Sequence, residues 1–216
     1  MILEKLPHAV GQALQDKRAG LDKILFNRIS LRPGTAQIEL TSLAFRDHAP
    51  IPERYTADGE GISPPLAWKG VPPGTASLAL IVEDADSPTP RPLVHAIAVD
   101  IDPQRDDLGE GELCETDDAK RSELNLGRNS YLSQAWLPPD PPPGHGVHRY
   151  AFQLFALAEG ATFSSAPGRE KLFEAIREKG LASGCLIGTY LRDNTVTVDD
   201  GAARIPDPVP HSTSPA

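Results

Sequence analysis

Three stretches of the chain constrain its fold more than anything else in it: residues 76–84 (ASLALIVED), 93–101 (LVHAIAVDI) and 148–157 (HRYAFQLFAL). Each is a near-continuous apolar run of strand length, which is the pattern of a buried strand. Residues 38–45 (IELTSLAF) alternate like a further strand, and residues 185–192 (CLIGTYLR) read as a last one. Helical spacing is confined to the two ends. Over residues 8–26, Val10, Leu14, Leu21, Ile24 and Leu25 fall near one face, although Gly11 and Gly20 weaken that helix. Over residues 169–180, Leu172, Phe173 and Ile176 share a face and Gly180 fits as the C-cap. Strands in the middle and helices at the ends predict a mainly β protein, a mostly antiparallel sandwich with flanking helices. The expected division is an N-terminal amphipathic helix and linker over 1–37, turning at Pro33 and Gly34, then a sandwich domain over 38–192 and a disordered, Pro-rich tail over 193–216.

Composition narrows the class. The 22 prolines among 216 residues favour turns and extended segments over a helical bundle. A formal charge of −9 repels phosphate backbones at long range and argues against nucleic acid as a partner, while leaving room for a local anion site. Cys114 and Cys185 have neither CxxC nor zinc-finger spacing and read as reduced structural thiols. Glu4 and Pro7 break up any secretory signal and no stretch is long enough for a membrane span, so a cytoplasmic protein without integral membrane association is expected. The apolar face of the N-terminal helix needs a cover, and both a homodimer and docking on its own domain would supply one.

The ends of the apolar runs carry the chemistry. Alternate residues of a strand share a face, so Asp84 and Asp86 point the same way if the chain stays extended; His95 goes with Leu93, Ile97, Val99 and Ile101, and His148 with Tyr150, Phe152 and Leu154. If these strand ends meet, two carboxylates, two imidazoles and a phenol surround one cavity. Such a set can bind a phosphate-like anion through the imidazoles and the tyrosine, hold a divalent metal, or perform acid–base catalysis. Each piece alone has a plainer reading: the aspartates as turn formers before Pro88 and Pro90, His95 as a satisfied core histidine, His148-Arg149 as a solvated strand start.

The succession of ISPPLAW (62–68), DADSPTPRPLVHAIAVD (84–100) and PPDPPPGHGVHRYAFQLFAL (138–157) resembles three signature stretches of the phosphatidylethanolamine-binding protein family, in its bacterial branch, which is similar to the eukaryotic Raf kinase inhibitor proteins. The resemblance runs over residues 38–192. It implies a sandwich of two antiparallel sheets with a small pocket for anionic, phosphate-like groups, formed here by Asp84, Asp86, His95, His148 and Tyr150. Gly146 matches the glycine before the second histidine, and Asp140 stands where the family has a small residue at the pocket mouth. Ala85 replaces the proline between the aspartates, and Trp136 occupies a common tyrosine position. No metal or cofactor is implied. The expectation is therefore a binding protein for a phospholipid head group or a phosphorylated molecule or protein segment, with a regulatory, kinase-inhibitor-like role open by analogy. A hydrolase using the same Asp/His pocket is the alternative, with Ser87 the nearest candidate nucleophile.

Overall fold

The structure is a computed structural model that describes residues 8–31, 36–114 and 124–192. The turn expected at Pro33-Gly34 and the tail expected from 193 lie outside the described residues. The strands are β1 (Ala36–Gln37), β2 (Glu39–Thr41), β3 (Ala49–Pro50), β4 (Leu66–Lys69), β5 (Ser77–Asp84), β6 (Leu93–Ile101), β7 (Asp107–Leu108), β8 (Asn125–Leu126), β9 (His148–Leu157) and β10 (Gly180–Tyr190). The helices are α1 (His8–Ala13), α2 (Leu25–Arg28) and α3 (Arg169–Lys179).

These strands form two sheets. The larger runs β1-β10-β9-β5-β6-β8, and the smaller runs β2-β4-β7. The central strands of the large sheet pair antiparallel, whereas β1 and β3 add to the outer edge of β10 in parallel. One face of the large sheet packs Leu80, Val82, Phe152 and Leu154 against Leu40, Leu66, Trp68 and Leu108 of the small sheet. The other packs Ala79, Ile81, Phe155 and Leu157 against Leu25, Leu172 and Ile176 of the helices. Burial on both faces explains why the three central strands are nearly all apolar, with Glu83, His95 and Gln153 the buried polar exceptions in their interiors.

The helix expected over 8–26 is not continuous. α1 ends at Ala13, and the chain turns through Gly20, whose φ of 104° suits glycine. The main domain overrides the helical pattern by offering partners to backbone N–H groups. The Ala19 N–H donates to the Ser87 carbonyl (3.0 Å) and the Gly20 N–H to that of Ala85 (2.7 Å). The first N–H groups of α2 donate to two buried strand side chains, Leu25 to Glu83 (2.8 Å) and Phe26 to Gln153 (2.7 Å). Arg169 at the start of α3 closes this network, donating to Glu83 (2.6 Å) and to the Lys23 carbonyl (2.7 Å). Ile24 and Leu25 are thereby buried against the domain, while Leu14 and Leu21 are half-buried and Val10 is exposed, so the chain itself covers part of that apolar face.

Candidate functional site

Strand register brings the functional residues together. Asp84, the last residue of β5, pairs with Tyr150 on one side and Leu93 on the other. Asp84 and Tyr150 thus lie in one row at one end of the sheet, with His148 beyond. His95 arrives by a different route from simple alternation. The β5–β6 register slips between Val82↔Ala96 and Glu83↔Val94, which makes His95 the extra residue of a β-bulge. Val94 and Ile97 both face the helices, and Ala96 faces the small sheet. The bulge turns the His95 ring to the Tyr150 side, away from the face it would share with Ile97. The two rings meet edge-on at 5.1 Å.

Asp84, His148 and a third residue, His145, form a buried chain of hydrogen bonds. His148 Nδ1 lies 2.8 Å from Asp84 Oδ2, His148 Nε2 lies 2.6 Å from His145 Nδ1, and His145 Nε2 lies 2.8 Å from the Leu14 carbonyl. A carbonyl only accepts, so His145 Nε2 carries the hydrogen toward Leu14 and the neutral ring's Nδ1 accepts from His148 Nε2–H. Burial and the nearby His148 charge push His145 below the usual histidine value, so its ring stays neutral with Nε2–H toward Leu14.

Asp86, expected beside Asp84, faces elsewhere. β5 ends at Asp84, and the Asp86 N–H turns back to donate to Asp84 Oδ1 (2.8 Å), which breaks the strand alternation. The Asp86 carboxylate accepts from the Arg149 N–H (2.9 Å), Nε (2.7 Å) and Nη2 (2.7 Å), and pairs with Arg18 at 3.0 Å. Its burial raises its pKa, but the hydrogen bonds from Arg149 and then Arg18 outweigh this, and it lies below the ordinary carboxylate value.

Beside these residues lies a cavity of about 410 Å³, lined by Asp84, His95 and His148, by Trp136 and the segment 137–142, and at the side by Tyr131 and Ser133. Asp140 lines it and is paired with Arg192, which also grips Asp58. No lysine or arginine is among the lining residues. Three buried polar atoms here have no hydrogen-bond partner among the described residues: His95 Nε2, Trp136 Nε1 and Tyr150 Oη. His95 Nδ1 is 2.6 Å from the Leu137 carbonyl and must donate to it, which fixes the tautomer. Burial pushes the His95 pKa down, so Nε2 is a bare lone pair. Burial, followed by the charges of Asp84 and Asp140, holds the Tyr150 pKa well above 10, so its hydroxyl remains a donor. Among the described residues no group of three or more His, Cys, Asp or Glu is placed to hold a metal ion.

The family model for phosphatidylethanolamine-binding protein matches residues 41–191. The chain belongs to the phosphatidylethanolamine-binding protein family. It is 35% identical over 176 residues to the UPF0098 protein of Aquifex aeolicus, covering 80% of this chain and 99% of that one. It is 38% identical over 157 residues to the UPF0098 protein of Methanothermobacter thermautotrophicus, covering 72% and 99%. Among solved structures, the phosphatidylethanolamine-binding protein homologue CT736 of Chlamydia trachomatis superposes with a TM-score of 0.65 at 34% identity, over 73% of this chain and 99% of that one. YbcL of E. coli shares the fold, with a TM-score of 0.67 at 23% identity over 73% and 99% of the two chains.

Within this family member, Asp84, His95, Asp140 and His148 line the cavity, and Tyr150 supports it through ring contacts with His95 and His148. Asp86 and Gly146 do not line it. Gly146, with φ 92°, makes the bend that presents the His145 carbonyl to Arg18 Nη2 at 3.0 Å. His148 was expected to donate to a ligand, but Asp84 and His145 take both its nitrogens, which makes it a positioning residue. His145 escapes a strand-based reading because it precedes β9, in the turn. The signal present was its three-residue spacing from His148 across a glycine.

Proposed function

We propose that the protein binds a small anionic, phosphate-like group in the cavity beside Asp84, His95 and Trp136. The observation that carries this reading is that two residues lining one largely apolar hollow, His95 and Trp136, each hold a buried, unpartnered polar atom, with the unpartnered Tyr150 hydroxyl on the ring packed against His95. A buried polar group costs free energy until it is paired, so a ligand that pairs the Trp136 N–H and the Tyr150 hydroxyl recovers that cost on binding. The two carboxylates at the wall do not repel such a ligand as free charges would, because Asp84 is hydrogen-bonded to His148 and to the Asp86 N–H, and Arg192 neutralises Asp140. In this reading the protein is a cytoplasmic binding module, with phosphorylated small molecules or protein segments as partners. Among the described residues, no helix is long and apolar enough to cross a membrane.

Hydrolysis is the less favoured reading. The Ser87 hydroxyl bonds the Asp84 carbonyl (3.2 Å) and the Thr89 hydroxyl (2.8 Å) and accepts from the Leu93 N–H (3.2 Å), with no imidazole among these partners. The test of the binding reading is calorimetric titration of phosphate into wild type, Tyr150→Phe and Trp136→Phe. Each variant removes one donor, Tyr150→Phe at nearly constant shape and Trp136→Phe with a smaller ring as well, and each is expected to weaken binding by at least roughly tenfold, the worth of one hydrogen bond to a charged group. Wild-type affinity in both variants would refute it.

A further inference from the structure

We infer that the ligand of this cavity brings its own proton: the site selects the hydrogen-bearing monoanion of a phosphate monoester over the dianion, over phosphodiesters and over sulfate. This rests on the anion-binding reading above and narrows it. The deciding group is His95. Its Nδ1 faces a carbonyl that can only accept, so the ring proton of the neutral imidazole is committed there and Nε2 can only accept. That Nε2 is buried and has no partner among the described residues, so a fitting ligand must donate to it.

The groups that surround His95 point the same way. Asp84 comes from β5, His148 and Tyr150 from β9, and Asp140 from the segment before β9; Arg192 and Tyr190 lie behind Asp140 and Tyr150. The one cation of this set, Arg192, is taken up by Asp58 and Asp140, and His148 by Asp84 and His145. The wall thus offers a donor in Trp136 and an acceptor in His95, with the unpaired Tyr150 hydroxyl on the ring packed against His95, and no free positive charge. A dianion meets the His95 lone pair with no lysine or arginine on the wall to balance its second charge. A monoanion ROPO₃H⁻ accepts from Tyr150 and Trp136 through its oxygens and donates through its P–OH to His95. Burial strengthens this preference, since it pushes the His95 pKa down and leaves the proton with the ligand. Phosphate monoesters suit such a site at physiological pH. Their second pKa near 6 leaves roughly a tenth protonated at pH 7, against well under one per cent for a carboxylic acid.

The experiment titrates the full chain calorimetrically from pH 6 to pH 8 with methyl phosphate, dimethyl phosphate, glycerophosphoethanolamine, sulfate and a short phosphoserine peptide. Methyl phosphate is expected to weaken by about tenfold per pH unit above its second pKa, following the fraction that carries the proton. At pH 8 its binding should take up about one proton, read from buffers of different ionisation enthalpy. Sulfate, dimethyl phosphate and glycerophosphoethanolamine should bind at least about tenfold more weakly than methyl phosphate at pH 6, the worth of one lost hydrogen bond to a charged group. A phosphoserine peptide tighter than methyl phosphate, with the same pH profile, would support a protein-borne monoester, and the reverse order a free one. Sulfate or a diester binding as tightly as methyl phosphate, independently of pH, would overturn the protonated-ligand inference while leaving anion binding standing. Failure of every anion to bind would overturn both.

Discussion

Replacing Asp86 with asparagine separates a structural carboxylate from a ligand-binding one. The substitution keeps the size of the side chain and the backbone N–H that donates to Asp84. It removes one of two oxygens that together accept from three Arg149 groups and pair with Arg18, and sets an amide N–H₂ against guanidinium donors. At least two charge-assisted hydrogen bonds are lost. Asp86 is fully buried, but the Arg149 and Arg18 side chains are 36% and 31% exposed, so water relieves much of their lost pairing. The low end of the range therefore applies, about 1.5 kcal/mol for each bond and about 3 kcal/mol in all. For a chain of this size that lowers Tm by about 6–12 °C. Because Asp86 does not line the cavity, phosphate affinity at a temperature where the variant is folded should stay within about threefold of wild type, under 1 kcal/mol. Scanning calorimetry and isothermal titration measure the two quantities on one sample. A variant with unchanged Tm that no longer binds phosphate would show the assignment to be wrong.

His145→Ala should loosen residues 14–20 from the turn after β5, seen as faster amide exchange at Ala19 and Gly20, whose N–H groups bond Ser87 and Ala85. Unchanged protection there would show that the His145 contact with Leu14 does not hold the segment. Stability should also fall with acidity from about pH 7 toward pH 5. His95 and His145 titrate below their ordinary value in the folded chain, so the unfolded chain binds protons first, contributing up to about 1.4 kcal/mol per pH unit for each group. Asp86 adds a further loss only at the acid end, as pH drops through its depressed value. Denaturant unfolding at pH 7.5 and 5.5 checks this, and a His95→Gln chain with the same slope as wild type would refute the part assigned to His95.

Much of the site was legible in the sequence, though partly for a reason the sequence does not show. β6 and β9 span the residues their apolar runs marked, because strands buried on both faces leave little room for polar residues. Period-2 alternation placed His148 and Tyr150 with Phe152 correctly, since β9 is regular. The same rule put His95 with Ile97, on the helix side. It reaches the cavity only because a bulge, which depends on pairing with β5, reverses it. Asp86 failed for a related reason: the strand stops two residues earlier than an extended reading requires. The helix over 8–26 failed because Glu83 and Gln153, which read as polar interruptions of apolar strands, capture the N–H groups of Leu25 and Phe26. Trp136 lies in a stretch with no period to read, and its place at the cavity follows from backbone bonds of Trp136 to Leu113 (2.7 Å) and of Leu137 to His95 (2.8 Å).

The docking of residues 14–28 has a consequence for how the chain matures. Their partners lie far along the sequence: the Leu14 carbonyl meets His145, Phe26 meets Gln153, and the Lys23 carbonyl meets Arg169. During synthesis this leading segment emerges first but finds its berth only after α3 has left the ribosome, since loops of this length close late. The turn that follows Asp84 is therefore completed from behind at the end of translation, and a nascent chain halted before residue 145 would hold Asp84 without the His148 ring that bonds it or the His145 ring that braces His148.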